Sequence, residues 1–309
     1  MQQDKKTRDK AIKGVATFLS ENTEPISKPE MAKLFKGIFY CFWMSDKPLV
    51  QQALASDMAE IVLNFPTAQG SLDFLRGFWE ALVREWSGID RLRIDKYYLL
   101  IRRFVNASFK FLARNEWDET LVTEYNSILT SPGGPLCSHD IRLPSSLTYH
   151  LADIYVEELN KASTDPFPLP TPLVTLVNPY LDVAAHTPAK LTYQRIQSAL
   201  IDPLLDALSV AAPPQDEDDE ENEGPARKRQ KTNAGTYDVL LSNACAVNPR
   251  KEDALSRREL KKLLLQRIFA IASDEKTRDA SRRKMYAIWK SNADDEDDET
   301  PPNATSVFS

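Results

Sequence analysis

The side chains in this sequence that could do chemistry are mostly cations, and their chemistry is the gripping of anions. Pro225-Ala226-Arg227-Lys228-Arg229-Gln230-Lys231 places four positive charges in five residues: Arg227, Lys228, Arg229 and Lys231. An extended basic peptide of this kind fits the acidic groove of a nuclear import receptor, so the run reads as a nuclear localisation signal. A second set lies on the longest helical pattern, 90–114, where Lys96, Arg103, Lys110 and Arg114 fall on one side of a 100° wheel, with Arg91, Arg93 and Arg102 flanking. That line opposes Ile94, Tyr97, Ile101, Phe104, Val105 and Leu112, and it suits a phosphate backbone. A third set follows the linker: Arg250, Lys251, Arg257, Arg258, Lys261, Lys262, Arg267, Arg282, Arg283 and Lys284, which together suit a polyanion such as RNA.

Groups able to make or break bonds are not gathered anywhere. There is no phosphate-binding glycine loop, dinucleotide fingerprint or zinc-protease helix. Cys137 and His139 stand two residues apart in a Pro/Gly-containing loop, too few ligands for a metal site, and read as surface-loop residues. His150 lies on an apolar helical region and reads as a satisfied side chain. Seven acids in 216–223 and six in 294–299 resemble nuclease carboxylates in composition only, because a metal site needs a rigid frame. The expectation is a chain that is not an enzyme, with no cofactor, metal or small-molecule substrate.

The elements that must carry these cations are helices. Glycine is scarce, nine in 309 residues, where tight hairpins would need many more. The longest apolar stretch, Ile38–Met44, is far short of the roughly 20 residues of a membrane span. The polar first ten residues predict no secretory signal. Three scattered cysteines predict a reducing compartment.

Helical periodicity repeats from residue 8 to 210, with starts near 8, 28, 47, 71, 90, 118 and 146. Ser27, Ser71, Asp90 and Asp118 read as N-caps and Gly88 as a C-cap. The proline-rich stretch 165–188 reads as irregular, and 191–210 as helix interrupted near Pro203. Alternate starts are spaced like helical-pair repeats. The expected fold is all-α: an irregular helical-repeat (HEAT-like) solenoid or a helical bundle, with a basic helical C-terminal arm. The divisions are 1–210, an all-helical domain; 211–234, a disordered acidic and basic linker; 235–292, a basic helical segment; and 293–309, an acidic disordered tail.

The charge balance sharpens this. The net charge of −6 conceals a segment, 225–290, with 17 bases against 7 acids, held between the two acidic runs. Such blocks belong to interaction segments, and the acids could screen the bases until a partner polyanion competes.

Two strings carry a family resemblance. Leu34-Phe35-Lys36-Gly37-Ile38-Phe39-Tyr40-Cys41-Phe42-Trp43-Met44-Ser45-Asp46-Lys47-Pro48-Leu49 is one. The other is Phe78-Trp79-Glu80 running on through Arg84-Glu85-Trp86 to Gly88-Ile89-Asp90-Arg91-Leu92-Arg93-Ile94-Asp95-Lys96-Tyr97-Tyr98. Both resemble the ribosomal RNA processing protein 1 family, over about 8–130 and more loosely to 210.

The resemblance implies a non-catalytic assembly factor of the nucleus and nucleolus, acting on early precursors of the large ribosomal subunit. Its partners would be precursor rRNA of the large subunit, ribosome assembly factors and large-subunit ribosomal proteins, with no membrane. The alternative on the same helices is a nuclear protein–protein adaptor indifferent to RNA. Within the strings, Phe42 and Trp43, beside the Asp46 break, read as exposed protein-interface anchors, and Trp289 is a third candidate.

Overall fold

The computed structural model describes residues 5–140, 143–164, 168–210 and 237–293. The linker and the acidic tail from 294 lie outside them, and with them the basic run Arg227, Lys228, Arg229 and Lys231. The helices are α1 (Lys5–Glu21), α2 (Lys28–Trp43), α3 (Pro48–Glu60), α4 (Ala68–Glu85), α5 (Ile94–Arg114), α6 (Glu119–Thr130), α7 (Ser145–Ala162), α8 (Leu173–His186), α9 (Lys190–Ile196), α10 (Asp202–Ser209), α11 (Asp238–Ser242), α12 (Arg257–Ser273) and α13 (Asp279–Ala293). One short parallel pairing joins β1 (Thr171–Pro172) to β2 (Ala244–Cys245).

Local chemistry sets most of these boundaries. At α2, the Ser27 amide and hydroxyl both donate to the Glu30 carboxylate, with Pro29 in the first turn. The same reciprocal cap opens α12 through Ser256 and Glu259. Asp118 accepts the amides of Thr120 and Leu121 at the start of α6. Thr67, rather than the expected Ser71, caps α4 by accepting the Gly70 amide; Ser71 is buried one turn in and donates to the Val62 carbonyl.

The helices stack in two layers. Each rests on the helix two places along: α1 on α3, α3 on α5, α5 on α7 and α7 on α9 in one layer; α2 on α4, α4 on α6 and α6 on α8 in the other. This is the arrangement of a helical-pair solenoid. One hydrophobic core runs through the whole of it and continues into 237–293. There α12 packs on α8 and α10, and α13 on α8 and α12.

Two further expectations need correction. The stretch 165–188 is not irregular, because α8 fills most of it and is buried on nearly every side. Pro179 sits inside this helix and lacks the N–H that would bond the Thr175 carbonyl. The Asn126 side chain of α6 supplies that bond instead, at 2.9 Å. At the other corner, Asp90 does not cap α5. It heads a turn, accepting the Leu92 amide and pairing with Arg93, and the helix begins at Ile94. Gly88 closes a short 3-10 turn, and Ile89 follows in extended conformation.

Candidate protein and nucleic-acid interfaces

The two strings that carry the resemblance meet in space. The end of α2 abuts the start of α5, and Lys96 lies between them, 6% exposed. Its Nζ donates to the Trp43 carbonyl at 2.6 Å and the Ser45 carbonyl at 2.8 Å. An ammonium here satisfies carbonyls that the end of α2 leaves without intrahelical partners and meets the negative end of its dipole. Burial, and then the neighbouring Arg93, bring the Lys96 pKa down to about 8. Tyr97 donates to the Phe39 carbonyl, and its ring stacks on Phe39 and meets Phe42 edge-on. The Arg93 guanidinium lies 4.8 Å over the Trp43 ring.

This geometry corrects three site expectations. Lys96 is not on a surface line for phosphates; it is an internal cap. Phe42 is fully buried and anchors the corner rather than a partner. Trp43 is half-buried beneath Arg93. What the corner does expose is Tyr40, Met44 and Leu92, the last 93% accessible. Periodicity could not single out Tyr40 and Met44, because apolar residues crowd their part of the string, and Leu92 stands between Arg91 and Arg93 outside any helical face.

The rest of the α5 line divides. Arg91, Arg103 and Arg114 are exposed and form no ion pair with another described residue. Lys110 is half-buried. Arg102 is held by Glu157 at 2.9 Å and Glu158 at 2.8 Å, which also bind Lys161. Hydrogen bonding from Arg102, against the opposing effect of burial, holds the Glu157 carboxyl at about 2. Two-sided packing on α3 and α7 explains the division, since most of the α5 surface is covered.

In the C-terminal segment, several cations serve the fold. Arg257 pairs with Asp238 and reaches the Ala207 carbonyl. Lys261 is buried, 6% exposed. Arg282 donates to the carbonyls of Ala272, Asp274 and Thr277, closing the end of α12. Lys284 lies 4.3 Å over the Tyr193 ring, and Arg267 bonds Asn178. These roles correct the reading of Arg257, Lys261 and Arg282 as RNA contacts. Arg258, Lys262 and Arg283 remain exposed. Trp289 is half-buried against Phe269, ring centroids 4.9 Å apart.

Other reactive side chains are occupied by structure. Cys137 is buried, against the expectation of a surface loop, because Leu136 plugs the core and bonds back to Leu129. His150 bonds the Tyr98 carbonyl, and burial lowers its pKa. Burial pushes the Cys245 thiol up to about 12. Among the described residues no three His, Cys, Asp or Glu side chains gather as a metal would require.

Comparison with known proteins agrees with the strings. The family model for the nucleolar protein Nop52 matches residues 1–300. Ribosomal RNA processing protein 1 homolog A of Homo sapiens is 28% identical over 308 residues, covering 91% of this chain and 66% of the human protein. Homolog B of Mus musculus is 31% identical over 252 residues, 80% of this chain and 33% of the mouse protein. The Drosophila melanogaster homolog is 35% identical over 142 residues, 45% of this chain and 20% of its own length. The matches thus span from a fifth to about two thirds of these relatives. With the family match running almost end to end, the chain belongs to the Nop52 family of nucleolar proteins, the ribosomal RNA processing protein 1 family.

Proposed function

We propose that the chain is a non-catalytic scaffold of early large-subunit precursor particles, required for rRNA processing because it binds precursor rRNA and other assembly factors. Family membership puts it in the nucleus and nucleolus. The observation that carries the reading is the family match itself, joined by relatives named for ribosomal RNA processing. In this reading the RNA contacts are the outward cations Arg91, Arg103, Arg114, Arg258, Lys262 and Arg283. Import is through Arg227–Lys231 and a nuclear import receptor. The solenoid holds an RNA or protein conformation while processing proceeds elsewhere.

The test is crosslinking and sequencing of RNA bound to a tagged chain in cells, with sedimentation of the same tag. Reads in large-subunit precursor rRNA and co-sedimentation with nascent large-subunit particles are expected. Their joint absence would overturn the reading. The internal use of Lys96, Arg257, Lys261 and Arg282 favours a second reading, an adaptor that binds protein alone. In that case the tag would sediment with particles without crosslinking to RNA.

A further inference from the structure

Between α1 and α2 runs an open groove of about 480 Å³. Ala11, Val15, Leu34 and Ile38 supply its apolar lining, and among the described residues its charged lining is cationic, Arg8 and Lys33. Lys36 is exposed one residue before Gly37, and acids alongside include Asp9, whose charge acts on Cys41 in the wall, and Glu30, which feels the charge of Lys33. Gly37, in the middle of α2, is exposed and forms part of the lining. A methyl group at that position would meet nothing within 4 Å. A mid-helix glycine costs stability relative to alanine, and the packing of this chain does not need it there. Gly77 is the contrast, because a Cβ there would stand 2.6 Å from Met31.

We infer that this groove seats an amphipathic, acidic helix of a partner protein. The aliphatic lining takes the partner's apolar anchors at i, i+3/i+4 and i+7. Gly37 lets the partner's backbone come close. Lys33, with Lys36 beside it, meets flanking carboxylates. An RNA strand fits poorly, since aliphatic walls offer its bases no stacking and Tyr40 is the one aromatic among the lining residues. The inference deepens the scaffold reading by giving the chemistry of one protein partner. Its test is separable from the scaffold reading, because it measures peptide binding and not particle association.

The probe is a fluorescent 18-residue helical peptide with Leu and Ala on one face and glutamates flanking it. Controls are the same peptide with lysines in place of glutamates, and a uridine 12-mer. Anisotropy titrations use the full chain, Gly37→Leu and Lys33→Glu. The expected result is binding of the acidic peptide at least tenfold tighter than the basic one. Gly37→Leu should weaken it at least tenfold without lowering the melting temperature, and Lys33→Glu should narrow or reverse the charge preference. Equal binding of both peptides, or indifference to Gly37→Leu, would overturn the inference. So would Gly37→Leu-sensitive binding of the uridine 12-mer, which assigns the groove to RNA. Tighter peptide binding after deletion of 294–309 would assign it to the chain's own acidic tail.

Discussion

Replacing Lys96 by methionine separates two opposed energies at the corner of α2 and α5. The methylene stem keeps its packing, but the Trp43 carbonyl loses its donor, while the Ser45 carbonyl keeps the Gln51 side-chain amide at 2.9 Å. One buried acceptor left unpaired costs about 1–3 kcal/mol. Against this, the native protein at pH 7 bears the cost of a buried ammonium. A pKa brought from 10.5 to about 8 makes that cost about 3 kcal/mol at about 1.36 kcal/mol per unit. Near neutrality the two nearly offset, and Lys96→Met should change stability by less than about 2 kcal/mol.

Raising the pH removes one side of that balance. The folded-state pKa lies below the unfolded one, so between about 8 and 10.5 the unfolded chain holds the proton that the native state has shed. Stability therefore rises with pH through this window. From pH 7 to 9.5 the wild type should gain about 2 kcal/mol over Lys96→Met. Urea titrations followed by tryptophan fluorescence, at half-unit steps of pH, measure the difference; raised tyrosine pKa values affect both proteins and cancel. Lys96→Arg serves as the comparator, since a guanidinium does not deprotonate in this range. A wild-type advantage over Lys96→Met that stays flat from pH 7 to 9.5 would refute the reasoning.

Four further outcomes are expected. Gly77→Ala drives a methyl into Met31 and the Phe35 ring, 2.6–2.8 Å from the new Cβ; overpacking of about 1–3 kcal/mol should exceed the helix-propensity gain of about 1 kcal/mol and lower the melting temperature. Asn126→Ala leaves the Thr175 carbonyl beside Pro179 unpaired, and urea denaturation should show a loss of about 1–3 kcal/mol. Glu157→Gln should cost under about 1 kcal/mol at pH 6, since this carboxylate is 43% exposed. Because its folded pKa of about 2 lies below the unfolded value, the wild-type advantage should vanish as pH falls from 4.5 to 2 in acid titrations. Joint reversal of Arg103, Arg114, Lys262 and Arg283 to glutamate should leave the fold intact by circular dichroism while flattening the salt dependence of RNA binding in filter assays.

What could be read from the sequence was local. The Ser27–Glu30 cap, the Asp118 cap and the apolar faces of α2 and α4 depend on residues three or four apart, and periodicity exposes them. What could not be read depends on partners distant in the chain. Pro179 signals a break to any local reading, and Asn126, 49 residues before the Thr175 carbonyl it bonds, makes the helix acceptable. Lys96 falls on the polar side of α5, yet its acceptors lie 53 and 51 residues away at the end of α2. The amphipathic wheel presumes one buried side, and α5 is covered on two. The cations were visible by type, but tertiary contacts alone separate Arg282, closing α12, from the adjacent exposed Arg283.

The two-layer stack also dictates an order of completion during synthesis. From α1 to α7 each helix finds its neighbour within two elements, so these contacts close as the chain leaves the ribosome. Helix α8 is different. Its seat on α6 is ready early, but α12 and α13, which cover its other side, and the strand partner Ala244–Cys245 follow only after some seventy further residues. Until they emerge, a nearly all-apolar helix stands half-clothed. A nascent polypeptide stalled before residue 237 would present that sticky seam, so α8 is where a holding chaperone has most to gain by waiting.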